Sequence, residues 1–339
     1  MIPDASSTPL DSAPPIRQLT ELVQRMRREI RKVILGQETV IDQVLAALFA
    51  GGHILLEGKP GLGKTHLVAT LARTFGGASG RIQFTPDLMP SDVTGFRLFD
   101  MKSQTFQLRQ GPVFTNLLLA DEINRAPAKT QSALLEVMQE RQVTIDGETL
   151  KLSPPFMTLA TQNPVEHEGT YPLPEAQRDR FIFLVKVVYP SREEEREILA
   201  RTTGTFEAKI QPVLSGEQIL ALQQTVRKVP VPEHVTDFIL DLVRFTRPDE
   251  PGAPSFVKDL VAWGAGPRAC QNLVLAGKVR ALLRGRFHVT IDDVEALARP
   301  IMRHRIVPTF NAEADGISVD EIITRILKVV PRGEAKRAL

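Results

Sequence analysis

One eight-residue stretch, "GKPGLGKT" (58–65), constrains the fold of this 339-residue chain more than any other feature. Gly58, Gly63, Lys64 and Thr65 match the pattern G-x-x-x-x-G-K-[ST], directly after the apolar run "HILLE" and before an apolar helical pattern. Glycines let backbone N–H groups curl around phosphate oxygens, and a helix N-terminus adds positive partial charge. The lysine supplies a cation for the β- and γ-phosphates, and the threonine hydroxyl a ligand for Mg²⁺. The stretch therefore predicts a strand–loop–helix unit that binds a nucleoside triphosphate.

The segments around this loop indicate an α/β fold. From Glu21 to about Val188, short apolar runs alternate with helical patterns, which is typical of βα units around a mainly parallel sheet. We predict five strands and four helices there. The strands lie at 53–58, 81–84, 116–122, 156–162 and 180–187, and the helices at 21–34, 38–50, 64–74 and 127–140.

Two further segments, 96–112 and 141–152, have the pattern of β-hairpins; the second contains the turn dipeptide Asp146-Gly147. After Tyr189-Pro190 the strand signal ends, and capping boxes precede helical apolar patterns. We therefore predict four parts. They are a flexible N-terminal tail (1–20), an αβα nucleotide-binding domain with the two hairpin insertions (21–190), a helical domain (191–332) and a C-terminal tail (333–339).

A second constraint is an acidic pair at the end of an apolar run. In "LLLADEINRAP" (117–127) a buried strand pattern leads directly into Asp121 and Glu122. Adjacent like charges repel, and burying an unpaired carboxylate is costly, so a positive group must lie opposite them. A strand adjacent to the phosphate loop would meet this need. We expect Asp121 to hold Mg²⁺ through its water shell and Glu122 to polarise the attacking water as general base.

Composition bounds the class of protein. A net charge of +2 is too small to argue for sequence-independent binding to nucleic acid, so the charge disfavours nucleic acid as a partner. No apolar stretch approaches the ~20 residues that a membrane span requires, and the N-terminus has no signal-peptide pattern. The single cysteine, Cys270, excludes an intrachain disulfide and fits a reducing compartment. These features predict a cytoplasmic protein without a membrane span.

The motifs together resemble those of AAA+ ATPases, and of their MoxR branch in particular. "DEINRAP.KTQSALLE.M.ER.VT", "ATQNP" and "PLPEAQ.DRF" occur here in the order and wording typical of that family, from about Val33 to about Val330. The resemblance implies an AAA+ core with a five-stranded, mainly parallel sheet between helices, and an all-helical C-terminal lid. It also implies Mg²⁺-dependent ATP hydrolysis in a homo-oligomeric ring, commonly a hexamer. The implied role is chaperone-like remodelling, maturation or metal insertion of a protein client, often with a von Willebrand factor A-domain partner.

The resemblance also suggests roles for residues outside the two motifs. Asn163, in "ATQNP", is a neutral donor that can orient water or contact the γ-phosphate, although it could instead only open the turn before Pro164. Arg180 resembles the arginine that reaches a neighbouring subunit's γ-phosphate in trans. Arg178 stands where the family usually has an apolar residue, so it is the second choice for that role. Arg268, after Gly266-Pro267, resembles the second sensor, a cation that swings toward phosphate with the lid.

The segment "VILGQ" (33–37) resembles the stretch that lines the adenine pocket. The expected nucleotide-binding residues are then Ile34, Gly36, Gln37, Gly58, Pro60, Gly61, Leu62, Gly63, Lys64, Thr65 and His66.

Other functions stay open at this point. A nucleotide-gated scaffold with little turnover would use the same loop, but it has no need of a water activator or a trans arginine. A nucleic-acid motor is disfavoured by the near-neutral charge and the lack of a basic-aromatic groove. A motor subunit resembling magnesium chelatase is a close relative of the MoxR-type ATPase, and only the exact residues of the motifs separate the two.

Overall fold

The computed structural model describes residues 13–59, 61–163, 170–203 and 208–333, with side chains from residue 20 onward. Pro60 and Pro164 lie outside the described residues. The strands are β1 (Ile54–Glu57), β2 (Ser79–Gln83), β3 (Gly95–Asp100), β4 (Thr105–Gln110), β5 (Leu117–Asp121), β6 (Gln142–Ile145), β7 (Glu148–Lys151), β8 (Met157–Gln162), β9 (Phe183–Lys186), β10 (Val261–Trp263) and β11 (Val307–Pro308).

The helices of the first half are α1 (Ala13–Arg31), α2 (Glu38–Ala50), α3 (Lys64–Arg73), α4 (Pro90–Thr94), α5 (Ala128–Glu140) and α6 (Glu175–Arg178), with a 3₁₀ turn at Ile123–Arg125. Those of the second half are α7 (Arg192–Thr202), α8 (Gly216–Arg227), α9 (Glu233–Arg244), α10 (Ser255–Leu260), α11 (Pro267–Leu283), α12 (Ile291–Met302), α13 (Phe310–Ala314) and α14 (Val319–Val329).

The central sheet has five parallel strands in the order β2-β5-β8-β1-β9. In this order β8 lies between the strand that enters the phosphate loop and the strand that ends at Asp121. All five strands point the same way, so their carboxyl ends meet at one edge of the sheet. That edge brings together the phosphate loop, the acidic pair and the residues that follow β8.

Both faces of the sheet are buried. Along β5, Leu117 and Leu119 belong to one apolar cluster, whereas Leu118 and Ala120 belong to another, because successive side chains point to opposite faces. The first cluster includes α1, α2 and much of the C-terminal helical region, and the second includes α5. Coverage on both faces explains why the strands are continuous apolar runs rather than alternating patterns.

Two antiparallel hairpins lie outside the central sheet. One joins β3 to β4 and the other joins β6 to β7, where Asp146 and Gly147 both have positive φ, as a two-residue hairpin turn requires. An ion pair between Arg97 of β3 and Glu148 of β7 links the two hairpins. The first hairpin carries several exposed apolar side chains, which are Phe96, Leu98, Phe99 and Phe106.

The N-terminal helix corrects the predicted tail. α1 begins at Ala13, within the segment 1–20 that the sequence predicted to be flexible. Pro14 and Pro15 suggested a coil, but both stand in the first turn of a helix, where proline's missing N–H removes no hydrogen bond.

The C-terminal region is helical with one exception. β10 and β11 form a short antiparallel ladder, so the C-terminal region is not entirely helical, as the sequence had predicted it to be. These strands are too short to show the alternation that predicts a strand. α11 packs against α1, α2 and α12, and α12 packs against the edge strand β9, so this region lies directly on the sheet. Among the described helices, none is both long and apolar enough to cross a bilayer.

Candidate active site

The phosphate loop joins the end of β1 to the start of α3. Gly61 and Gly63 have φ values of 81° and 73°, in the left-handed region that glycine occupies without strain. A cavity of about 430 Å³ opens beside the loop, at the carboxyl edge of the sheet. It is lined by Gly58, Gly61, Leu62, Gly63, Lys64, Thr65, His66, Arg81, Gln83, Asp121, Glu122, Thr161 and Asn163. The structure thus brings the lysine, the threonine and both predicted acids to one cavity.

Lys64 is the cation of this cavity nearest the loop backbone. Its Nζ donates a hydrogen bond of 2.7 Å to the carbonyl oxygen of Gly58. Burial lowers the pKa of the Lys64 ammonium, and the negative charges of Asp121 and Glu122 oppose that shift. A half-buried ammonium with few protein partners is a group that gains from a bound anion.

The two adjacent acids have separate partners. Asp121 accepts hydrogen bonds from the Thr161 hydroxyl (2.6 Å) and from Arg81 Nη2 (2.7 Å). Glu122 accepts one from Gln83 Nε2 (2.8 Å) and lies 3.3 Å from Arg125 Nη1.

Glu122 stands in the left-handed region with φ 57°, an uncommon conformation for a residue other than glycine. Its own N–H donates to the Thr161 hydroxyl at 2.8 Å, and its carboxylate has partners different from those of Asp121. The repulsion expected between these adjacent acids is therefore relieved by separate hydrogen-bond partners and by two arginines.

The partners of the acids were missed by sequence analysis. Arg81 and Gln83 lie two residues apart on β2, where they alternate with the buried Ile82 and Phe84. That alternation is visible in "RIQF", and it would have placed both polar side chains on one face of the strand. Thr161 had no such signal, because it lies within the apolar β8 and shows its role only once β8 pairs with β5.

The cavity has the donor set that Mg²⁺ prefers. Thr65 supplies a hydroxyl oxygen and Asp121 a carboxylate oxygen, and Mg²⁺ binds such hard oxygens together with the phosphates of its substrate. In the described part of the chain there is no group of three or more His, Cys, Asp or Glu side chains that could hold a metal without a ligand's help. The residues therefore fit a cation that arrives with a nucleotide.

A second cavity of about 520 Å³ adjoins the first. Both include Gly61, Leu62, Gly63 and His66, and the second adds Val33, Ile34, Leu35, Gln37, Tyr189, Pro190, Glu195, Ile198 and Thr202. Its apolar walls suit a flat purine ring. Two of the residues expected at adenine, Ile34 and Gln37, line it, and the Gln37 side-chain amide donates to the Leu62 carbonyl at 3.2 Å.

Gly36 does not line this cavity. It has φ 72°, in the left-handed region that glycine occupies without strain, so the position favours glycine for its backbone conformation.

Asn163 lies in the phosphate cavity and is 8% exposed. It follows β8 directly, one strand away from the acids, as the sequence suggested.

The three arginines expected to contact phosphate are elsewhere. None of Arg178, Arg180 and Arg268 lines either cavity. Arg178 and Arg180 lie at the end of α6, and Arg178 Nη2 is 3.4 Å from Glu175 Oε1. Arg268 donates to Asp179 Oδ2 at 3.2 Å, so here it is paired with a core carboxylate, and its role as a second sensor stays a prediction. The first turn of α11 lies beside the α6 turn, so the Arg268 guanidinium pairs with the nearby Asp179 carboxylate.

Comparisons with known proteins were consistent with this site. Residues 53–183 match the family model "ATPase family associated with various cellular activities (AAA)", and residues 255–326 match the model "AAA lid domain". The chain is 46% identical over 330 residues to "Chaperone MoxR1" of Mycobacterium tuberculosis, covering 96% of this chain and 87% of that protein.

Two further relatives agree with these matches. "Protein MoxR" of Methylorubrum extorquens is 32% identical over 91% of this chain and 94% of its own length. A crystal structure from Cytophaga hutchinsonii superposes with a TM-score of 0.89 at 43% identity, covering 95% of this chain and 98% of that chain. The fold, the loop and these relatives agree: the chain belongs to the MoxR family of AAA+ ATPases.

Proposed function

We propose that this protein binds ATP with Mg²⁺, hydrolyses it within a ring of identical subunits, and uses the cycle to remodel a protein client. The observation that carries the proposal is the convergence of Lys64, Asp121 and Glu122 on one cavity, from the start of α3 and the end of β5. A cation beside a glycine loop and two acids opposite it are the parts that phosphoryl transfer to water requires.

Each residue has a distinct proposed task. Lys64 and the loop N–H groups hold the β- and γ-phosphates, and Thr65 with Asp121 holds Mg²⁺, which neutralises charge on the phosphates when it is bound. Glu122 accepts the proton of the attacking water. Asn163 orients that water or contacts the γ-phosphate from the neighbouring strand.

The arginines act between subunits in this proposal. Arg180, with Arg178 as second choice, lies outside the two cavities of its own chain, which favours a role at the nucleotide of a neighbouring subunit. Such a group is worth about 10³–10⁵ in rate.

Family membership supports a homo-oligomeric ring, for which we propose six subunits acting in the cytoplasm on a client protein. Maturation and metal insertion are the kinds of remodelling we propose for that client. A von Willebrand factor A-type domain on another chain would be the partner. We propose residues 21–190 as the nucleotide-binding domain and 191–332 as the lid domain.

A nucleotide-gated scaffold is the second candidate. It would keep the loop and the cavity but would not need Glu122 in a water-facing position. The two candidates differ in turnover and not in ATP affinity, so the decisive measurement is the rate of hydrolysis.

The test compares Glu122→Gln with Glu57→Gln. Glu57 is also a glutamate at the carboxyl edge of the sheet, and it accepts a hydrogen bond from Gln162 (2.9 Å) outside the cavity. We expect Glu122→Gln to bind ATP and to hydrolyse it about 10²–10⁴ times more slowly, which is the usual contribution of a general base. Glu57→Gln should keep most of the activity. Phosphate release measured with Mg²⁺ decides, and a wild type no faster than Glu122→Gln would leave only the scaffold.

A further inference from the structure

Three consecutive residues of the lid, Arg303, His304 and Arg305, contact the backbone of the core just before and along β9. Arg303 Nη1 lies 3.5 Å from the Leu184 carbonyl oxygen, and His304 Nε2 lies 3.0 Å from that of Phe181. These contacts join residues about 120 positions apart. The lid is therefore attached to its own core at the segment that follows Arg180.

Arg305 is the centre of this attachment. Its side chain is 1% exposed and makes five hydrogen bonds, one for each N–H that a guanidinium carries. Nε donates to Asp179 Oδ1 (2.7 Å), and Nη2 donates to the carbonyls of Asp179 (3.0 Å) and Phe181 (2.6 Å). Nη1 donates to the carbonyls of Ile182 (3.4 Å) and Ile301. A buried charge so completely paired fixes the backbone it binds.

Asp179 connects this buried cation to a second lid arginine. Its Oδ1 accepts from Arg305, and its Oδ2 accepts from Arg268 at 3.2 Å. Arg268 begins α11, whereas Arg305 follows α12, so one core carboxylate binds two separate lid elements. Asp179 is also the residue between Arg178 and Arg180.

The two arginines beside Asp179 have weak side-chain restraints of their own. Arg178 Nε is buried without a hydrogen-bond partner among the described residues, and its contact with Glu175 is long at 3.4 Å. For Arg180, the described residues provide a backbone hydrogen bond to Gln177 but no side-chain ion pair. The direction of both side chains therefore depends on the backbone of the turn, which Arg305 and Asp179 hold.

We propose that Asp179 and Arg305 are positioning residues that join the lid to the turn 175–180, which we name the arginine turn, so that the lid of one subunit orients the arginine acting at the next subunit's nucleotide. The inference rests on the proposed trans role of Arg178 or Arg180. It adds a route by which the lid position in one subunit sets the rate of hydrolysis in its neighbour.

The test uses Asp179→Asn and Arg305→Lys in the full chain. Asparagine keeps the shape of aspartate but loses its charge, and lysine keeps the charge but has three donors in place of five. Each should lower kcat for ATP by about 10- to 100-fold, since small misplacements of a catalytic group cost factors of this size. KM for ATP should change less than about twofold, because neither residue lines the nucleotide cavities.

Mixing subunits separates a positioning role from simple loss of stability. In a mixture with Glu122→Gln, an Asp179→Asn subunit keeps its own Glu122 and receives an intact arginine turn from its neighbour. Hydrolysis by the mixture should therefore exceed the sum of the two variants measured alone. Lys64→Ala, whose own site is defective, should show no such gain with Glu122→Gln.

Arg286→Lys is the matched control. Arg286 forms an ion pair with the buried Asp293 inside the lid, so this substitution perturbs the lid without touching the arginine turn. It should leave kcat within about twofold of wild type. Thermal unfolding of each variant shows whether the chain remains folded.

Two results overturn the inference, and they differ from failure of the proposed function. The inference is rejected if Asp179→Asn and Arg305→Lys both have the kcat of wild type. It is also rejected if either variant loses activity that Glu122→Gln subunits do not restore, while the same subunits do restore activity to Arg180→Ala or Arg178→Ala. If neither arginine variant alters hydrolysis, the trans arginine of the proposed function is wrong, and the positioning role is rejected with it.

Discussion

At the scale of single residues, the site is defined by how each charge is paired. Asp121 and Glu122 are neighbours in sequence, yet the left-handed backbone at Glu122 and the cations Arg81 and Arg125 give each carboxylate its own surroundings. Lys64 is the exception, since its hydrogen bond goes to a loop carbonyl rather than to an acid. It is the residue whose substitution bears most directly on nucleotide binding.

We predict that Lys64→Ala lowers ATP affinity by about 10- to 100-fold, because a charge-assisted contact to phosphate is worth about 1.5–3 kcal/mol and 1.4 kcal/mol is tenfold. Lys59→Ala is the control, since Lys59 belongs to the same loop but lies over the Tyr189 ring, 5.1 Å from its centroid. Calorimetric titration with ATP measures both affinities, and far-ultraviolet circular dichroism checks the fold. Equal affinities for Lys64→Ala and wild type would reject the phosphate assignment.

At the scale of elements, the strand–loop–helix unit is held against the edge strand of the sheet. A Cβ at Gly58 would come within 2.7 Å of the Val187 carbonyl oxygen and 2.9 Å of the Val187 Cβ. Gly58 thus serves close approach of two elements, whereas Gly63, with φ 73° and open space around it, serves backbone conformation. The phosphate loop is therefore positioned by β9 as well as by β1.

We predict that Gly58→Ala destabilises the protein by about 1–3 kcal/mol, the usual cost of overpacking, and weakens ATP binding because the loop must move away from Val187. Gly333→Ala is the control, because its Cβ would meet only the His234 Cβ at an ordinary 3.7 Å. Thermal unfolding and nucleotide titration of both variants make the comparison. A Gly58→Ala protein that matches Gly333→Ala in both would show that the contact does not restrain the loop.

At the scale of the whole molecule, two buried histidines join distant parts of the chain. His53 Nδ1 accepts from the Thr158 N–H at 2.9 Å, and its Nε2 lies 2.9 Å from the Met138 carbonyl oxygen. Burial lowers the pKa of His53 to about 4, and burial together with the charge of Arg305 lowers the pKa of His304 well below its usual value. Both imidazoles are therefore neutral in the folded protein near pH 7.

Because the folded pKa values lie below the unfolded one, the unfolded chain binds more protons as the pH falls below about 6.5. We predict that the free energy of unfolding falls by about 1.4 kcal/mol per pH unit for His53 between about pH 6.5 and 4. Thermal unfolding at pH 7.5 and 5.5 measures the loss. His53→Asn should show a smaller loss between these values than wild type, while His288→Asn, at an exposed position, should match wild type. An equal loss in all three would contradict the role of His53.

Some of this architecture was determined by the sequence alone, for a local reason. The strand at Leu117–Asp121 and the helix at Glu38–Ala50 follow from apolar runs and helical periodicity within each segment. The loop beginning at Gly58 and the acidic pair follow from residue types at fixed spacing. Each of these signals is contained in a window of about ten residues, so no knowledge of distant contacts was needed.

Only the tertiary structure decided the rest. The strand order, with β8 between β1 and β5, depends on which crossovers form, and no local pattern encodes that choice. The partner of Arg268 was set by the position of the lid on its own core, which brings Asp179 within 3.2 Å. Arg305 pairs with Asp179, which lies 126 positions earlier in the chain. No local sequence pattern distinguishes such a buried, fully paired arginine from an arginine on the surface. Long-range charge pairing is decided by competition among partners that come together only after the chain has folded.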